Sequence, residues 1–308
     1  MQPFRSILVD IDAGVAAHPA LERAVRLARS CGARLRIVDV LSVPSAARQY
    51  LRSEIERGLV DRRREQLADL AAAATGVEAD STLLMGRPSI ALIQEVLRSG
   101  HDLLLRSHAR DMASGPRPFG PIDMQLFRQC PCPVWVVGPG VPPSHPLVVG
   151  AVHANPEGAT EQALNARSID LTLLVSELEQ GSAAVLQAWA PYAEQVVRSF
   201  YNDADLASYV EDARQQANQD FSSLTRAFGD RLAGARLELR KGEAEDVIPE
   251  FVVAEGADLV VMGTVARTGI AGLVIGNTAE RLLQRIPCSV LAVKPDGFES
   301  PVTLGESA

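Results

Sequence analysis

The residues best suited to chemistry lie in one segment, 263–280, which reads GTVARTGIAGLVIGNTAE after a short apolar run at 259–262. Gly263, Thr264, Arg267, Gly269, Gly276, Asn277 and Thr278 are its candidate binding residues. The pattern is a strand that ends in a glycine-rich loop and re-enters a helix near Asn277. Such a helix start presents unpaired backbone N–H groups and a positive dipole end, which suit phosphate oxygens. Gly276 lets a ligand approach the backbone closely. Asn277 and Thr278 are good caps, and their side chains can instead donate to a phosphate. Arg267 is the one cation in the loop, and Glu280 is placed to cap back. The same residues also describe a helix that is merely well capped after a turn-rich loop. Both readings stand on the sequence.

Other chemistry is thinner. Cys130 and Cys132 form a CxC with His101 and His108 upstream. Structural zinc usually shows paired Cys or Cys/His sets, so no metal is predicted, and Cys132 reads as a small buried residue at a strand start. Four cysteines are too few for a disulfide framework. Arg62, Arg63 and Arg64 are flanked by Asp61 and Glu65 and read as a solvated helix face. Tyr192, Phe200, Tyr201 and Tyr209 either line a groove or pack inside, and packing is the favoured reading. No Ser/His/Asp arrangement, Walker lysine or metal-hydrolase motif occurs, so no catalytic residue is assigned and no enzyme is expected.

These residues need a scaffold, and composition bounds it. A chain of 308 residues holds about two domains at roughly 150 residues each. With 47% hydrophobic and 22% charged residues it is globular rather than disordered. No apolar run nears the ~18–20 residues of a membrane span. The N-terminus shows no signal-peptide pattern, so a cytoplasmic location and no membrane partner are expected. Residues 1–146 hold 18 Lys+Arg and 15 Asp+Glu, a balance of +3; residues 147–308 hold 12 and 23, a balance of −11. A basic nucleic-acid footprint is absent over the chain as a whole, so no nucleic-acid partner is expected.

The sequence repeats itself. At an offset of 156, residues 86–137 face residues 242–293 with 11 identities in 52 positions. Gly86 faces Gly242, Gly100 faces Gly256, Gly120 faces Gly276, and Pro131-Cys132 faces Pro287-Cys288. The matches fall at turns and strand starts, where backbone geometry restricts choice. Residues 138–146, GPGVPPSHP, form a semi-rigid connector. We expect domain one at 1–140, a linker at 141–146, domain two at 147–296 and a tail at 297–308.

Within each half, strands alternate with helices. In the first, strands are expected at 6–12, 35–41, 78–84, 102–106 and 134–138, and helices at 19–31, 49–75, 90–97 and 122–129. In the second, strands are expected at 147–153, 183–188, 236–240, 259–262 and 290–293, with a long helix at 205–228. This pattern predicts two tandem α/β domains, each a doubly wound five-stranded parallel sheet with helices on both faces.

The stretch 259–295, with SILVDIDAG at the first strand and PCPVWVV and IPCSVLAV at the closing strands, resembles the universal stress protein family. The resemblance spans nearly the whole chain as two tandem domains and is nearest the family's E-type members. It implies a Rossmann-like fold of the adenine nucleotide alpha hydrolase kind. Nucleotide-binding members share a Gly, two residues, a Gly, nine residues, then Gly with Ser or Thr. Those positions here are Gly263, Ala266, Gly276 and Asn277. Binding members also carry an Asp after the first strand, facing adenosine. Asp12 holds that place in domain one and His153 in domain two, where an imidazole can still make one hydrogen bond. In domain one the loop positions become Ser107, Arg110, Gly120 and Pro121, and Asp123 puts a negative charge at the helix start, so that copy reads as degenerate for nucleotide.

The resemblance therefore implies a non-enzymatic stress-response protein binding ATP or AMP in domain two. The alternative is a module that has lost nucleotide and takes a small hydrophobic ligand or a protein partner. A slow ATPase lacks its motifs. The resemblance also implies that the strands at 134–138 and 290–293 pair as an internal pseudo-dimer. Association of two chains as a homodimer is not fixed by the sequence.

Overall fold

A computed structural model of the chain describes residues 3–42, 53–107, 119–138, 143–153, 158–264 and 275–305. The first half runs β1 (Ser6–Asp10), α1 (Pro19–Cys31), β2 (Arg34–Leu41), α2 (Ser53–Ala73), β3 (Ala79–Met85), α3 (Pro88–Ser99), β4 (Leu103–Ser107), α4 (Pro121–Gln129) and β5 (Val134–Val137). The second runs β6 (Leu147–Ala151), α5 (Ala159–Leu178), β7 (Ser182–Trp189), α6 (Glu194–Arg198), α7 (Asp203–Arg226), β8 (Arg236–Lys241), α8 (Ala244–Glu255), β9 (Leu259–Gly263), α9 (Asn277–Leu283) and β10 (Ser289–Val293). Every predicted strand forms, within two residues of its expected ends. Helices α5, α6 and α8 form between the expected strands of the second half. No helix among the described residues is long and apolar enough to cross a membrane.

The strands make one ten-stranded sheet in the order β3-β2-β1-β4-β5-β10-β9-β6-β7-β8. Each half is parallel, and β1 and β6 sit where its strand order reverses. The halves join through an antiparallel pair, with Val290 opposite Val136, Leu291 opposite Trp135 and Ala292 opposite Val134. The two closing strands thus cover each other's edges, as the resemblance implied.

Burial explains why these runs are strands. Residues of β1, β5 and β10 are buried on both faces, as a parallel sheet under two helix layers requires. One core lies against α3, α4, α8 and α9, and includes Leu8, Phe127, Val260 and Leu282. A second lies against α1, α2 and α5, and includes Ile7, Leu27, Leu67, Trp135 and Leu171. Both run unbroken across the β5–β10 seam, and a small third cluster of Ile169, Val185, Phe221, Phe228 and Leu232 lies under α7. Gly100 and Gly256 close α3 and α8 in the left-handed region, with φ of 66° and 64°, which is why the repeat keeps glycine at both.

An ionic clasp spans the seam. Arg23 of α1 reaches Asp258 at 2.6 Å and Glu179 at 3.3 Å, with its guanidinium 4.7 Å from the Trp135 ring centroid. The clasp lies inside the molecule, where each charge depends on its partner.

Candidate functional site

Domain two presents its strand ends to the candidate loop. After β6, Val152 N–H donates to Leu186 O, and the chain turns out at His153. Asn165 of α5 holds the His153 main chain on both sides: it accepts from His153 N–H at 3.1 Å and donates to His153 O at 2.6 Å. His153 is exposed, two residues beyond the strand that was expected to contain it. Gly263 ends β9. A Cβ there would meet Leu164 Cδ2 at 2.4 Å, so glycine is what lets α5 pack against the strand end.

The root of the loop is closed by Gly276 N–H donating to Thr264 O at 3.3 Å. Gly276 then caps α9 with extended backbone, and no side chain caps this helix. Asn277 and Thr278 are exposed in its first turn. Their N–H groups and that of Ala279 have no intrahelical partner by helix geometry. Glu280 does not cap back; its carboxylate pairs with Arg128 of α4 at 3.2 Å. Arg267 and Gly269 lie outside the described residues.

Thr264 departs from its loop neighbours. Its side chain is fully buried, and its hydroxyl donates to Phe127 O of domain one at 3.1 Å. It also accepts from Lys294 Nζ at 3.1 Å. The structure thus places the Thr264 hydroxyl in the seam, apart from exposed Asn277 and Thr278. Burial drives the Lys294 ammonium down to about 8, although the Cys130 thiol works the other way. Sequence reasoning missed Lys294. Its signal was its place: it is one of only two lysines in the chain and falls directly after β10.

Domain one fills the matching place with its own charges. Asp12 and Asp39 both pair with Arg63 of α2, the latter at 2.9 Å. Asp12 also accepts from Gly14 N–H at 2.8 Å. The expected solvated face at 62–64 is therefore corrected at Arg63, which leans over the tips of β1 and β2. Burial pushes the nearby His18 imidazole below its ordinary value, against the fields of Asp12, Glu22 and Asp39. Deeper in, Arg106 of β4 lies 2.9 Å from Asp123 of α4 and 3.7 Å from Asp10 of β1, all three shut off from solvent. Asp123 also accepts from Gly120 N–H at 2.9 Å, capping its own helix.

The remaining residues singled out in the sequence lie elsewhere. His101 bonds Ser6 Oγ at 2.8 Å rather than joining the cysteines, and no group of three or more metal-ligand side chains occurs among the described residues. His108 lies outside them. The aromatics are not core: Tyr192 is 89%, Phe200 79% and Tyr201 59% exposed, while Tyr209 donates to Tyr192 O at 2.7 Å. They sit on the β7–α7 crossover and around the short helix α6, which has no buried residue to anchor them.

Two doubly wound α/β units in tandem, each turning from a strand end into a helix start, define a chain of the Rossmann-like class. The sequence profile of the universal stress protein family matches residues 3–138 and again 151–294. Universal stress protein E of Escherichia coli K12 is 31% identical over 99% of both chains, and that of Photorhabdus laumondii is 29% identical over 98% of both. A solved protein of unknown function from Pseudomonas aeruginosa PAO1 superposes with a TM-score of 0.67 at 25% identity, covering 96% of this chain and 95% of its own. The chain belongs to the universal stress protein family.

Proposed function

We propose that this is a non-enzymatic, cytoplasmic stress-response protein whose second domain, 147–296, binds ATP or AMP while the first, 1–140, does not. The supporting observation is the asymmetry of the strand ends. Where domain one has Asp10, Arg106 and Asp123, domain two has Ala151, Met262 and Ala279, by strand register and by the third position of the following helix. An apolar floor beside the N–H groups of a helix start suits a base and its phosphates. On this reading Gly276, Asn277 and Thr278 take phosphate, with Arg267 as cation and Gly263, Thr264 and Gly269 shaping the loop. His153 faces the nucleoside.

Thermal unfolding with ATP or AMP tests this. Saturating ligand at about 100 times Kd adds about 2.7 kcal/mol and raises Tm. Gly276→Asp sets a carboxylate among the phosphate donors and abolishes the rise. No shift with either nucleotide at millimolar concentration sinks the proposal.

One observation favours the second reading, a module for a small hydrophobic ligand or protein. It is the exposure of Tyr192, Phe200 and Tyr201. Native mass spectrometry separates the two: a co-purifying apolar metabolite supports the module, and retained nucleotide opposes it.

A further inference from the structure

The seam buries a cation whose partners are few. Lys294 is 3% exposed; its Nζ donates to Thr264 Oγ1 at 3.1 Å and lies 4.8 Å from the Phe298 ring centroid. An ammonium has three donors, and taking it out of water is costly unless an anion answers it. Among the described residues, the ionisable group whose field acts on Lys294 is the Cys130 thiol of domain one. Cys130 is fully buried at the end of α4, and its Sγ lies 3.6 Å from Cys132 Sγ. The Cys130 thiol, together with burial, pushes the Cys132 thiol well above its ordinary value.

Buried cysteines are ordinarily inert. The molecule carries its own comparison. In domain two the equivalent positions are Ile286 and Cys288, and Gly138 stands where Lys294 stands. Cys288 thus has neither a second thiol two residues away nor the lysine, and burial pushes its thiol up to about 12. The cation and the second thiol came together on one side of the seam only.

We propose that Cys130 and Cys132 are a hydroperoxide-reactive dithiol, in which Cys130 is oxidised first and Cys132 resolves to a reversible disulfide. In the first step the Cys130 thiolate attacks one peroxide oxygen and the O–O bond breaks. The departing hydroxide takes up the proton given up by the thiol and leaves as water. Cys130 is then a sulfenic acid. In the second step the Cys132 sulfur attacks the Cys130 sulfur, the S–O bond breaks, and a second water leaves with the Cys132 proton. Two thiols are oxidised and one peroxide is reduced to two waters. The sulfurs close from 3.6 Å to about 2.05 Å. Phe127, whose carbonyl holds Thr264, lies in the last turn of α4 before Cys130, so the disulfide forms beside the root of the candidate loop.

The test uses the full chain, reduced and freed of reductant. It is treated with hydrogen peroxide while folded, then unfolded, alkylated with N-ethylmaleimide and read by peptide mass spectrometry. The peptide holding Cys130 and Cys132 becomes lighter by two hydrogen atoms and takes no maleimide, and dithiothreitol reverses this. Cys31 and Cys288 still take maleimide. Cys132→Ser leaves a sulfenic acid on Cys130 that dimedone traps. Maleimide on all four cysteines of peroxide-treated protein, or oxidation of Cys31 or Cys288 ahead of the pair, overturns the proposal. So does trapping on Cys132 in the Cys130→Ser chain. The wild-type arm depends on no variant folding.

Discussion

The two domains share a backbone plan and oppose each other at the same end of the sheet. In domain one, Asp10 and Arg106 face each other in register on β1 and β4, and Asp123 closes on Arg106 from α4. In domain two the register pair is Ala151 and Met262, and Ala279 comes from α9. One copy has filled its strand ends with buried charges of opposite sign; the other has kept them apolar. A duplicated fold can thus keep its sheet and glycines while changing what its loop ends accept. The formal charge of the halves hides this, because the more acidic half has the less charged strand ends.

The largest effect is expected from breaking the filled end. Arg106→Met installs the domain-two residue and takes the guanidinium away from two buried carboxylates, at a cost of about 3–5 kcal/mol. Met262→Leu, a near-isosteric change at the matching position, costs less than about 1.5 kcal/mol. The triple change Asp10→Ala, Arg106→Met, Asp123→Ala regains most of the loss. The shortfall is about 1 kcal/mol, because Asp123 also caps α4. Denaturant unfolding of the four chains measures this. An Arg106→Met chain as stable as Met262→Leu would mean that the network is an ornament of domain one and not its filling.

This contrast was only half legible in the sequence. The strands were readable because buried β-branched runs alternate with helices, and the repeat because Gly100 and Gly256 occupy a conformation other residues avoid. Pro121 and Asp123 were legible as features unfavourable to phosphate in domain one, but the contact of Asp123 with Arg106 was not. Arg106 ends an apolar run and looks like a strand tip turning to solvent. Its burial depends on Asp10 and Asp123, brought in by two other elements. Arg63 sits among charged neighbours and takes its meaning from Asp12 and Asp39 across the fold. Thr264 belongs to the loop by sequence, yet its hydroxyl answers to the β5–β10 seam. The exposed aromatics failed differently. Their types suggested a core, but α6 is too short and too polar to bury them.

Lys294 sharpens the comparison from the other side, since Gly138 holds its place in domain one. Its folded value, about 8, lies below the ordinary 10.5 because burial disfavours the ammonium. Below about pH 8 both folded and unfolded chains carry the proton, and the burial penalty is fully present. Between about 8 and 10.5 the unfolded chain binds more protons, so this residue makes stability rise with pH. The full span is about 3 kcal/mol. Lys294→Met removes that rise, and unfolding midpoints of the two chains across this window measure the difference. Parallel curves would mean that the seam of domain two is no drier at Lys294 than the surface.

The smallest effect bears on the acid that distinguishes the copies beyond the first strand. Ile11 N–H bonds Val38 O as Val152 N–H bonds Leu186 O, so Asp12 and His153 are structural equivalents. In domain one the acid is present but Arg63 holds it, above a network that fills the space below. In domain two the floor is apolar and the acid is missing. His153→Asp therefore joins the two favourable halves. Asn165 grips only the main chain at this position, so the exchange leaves that support in place. A hydrogen bond to a charged group contributes about 1.5–3 kcal/mol, so AMP affinity should rise about tenfold or more by isothermal titration. Arg63→Ala removes the Arg63 ion pair from Asp12 but creates no second site, because Arg106 and its partners still occupy the end of domain one. A second binding event in that variant, or no gain from His153→Asp, would show that the strand-end residues do not decide which copy takes the nucleotide.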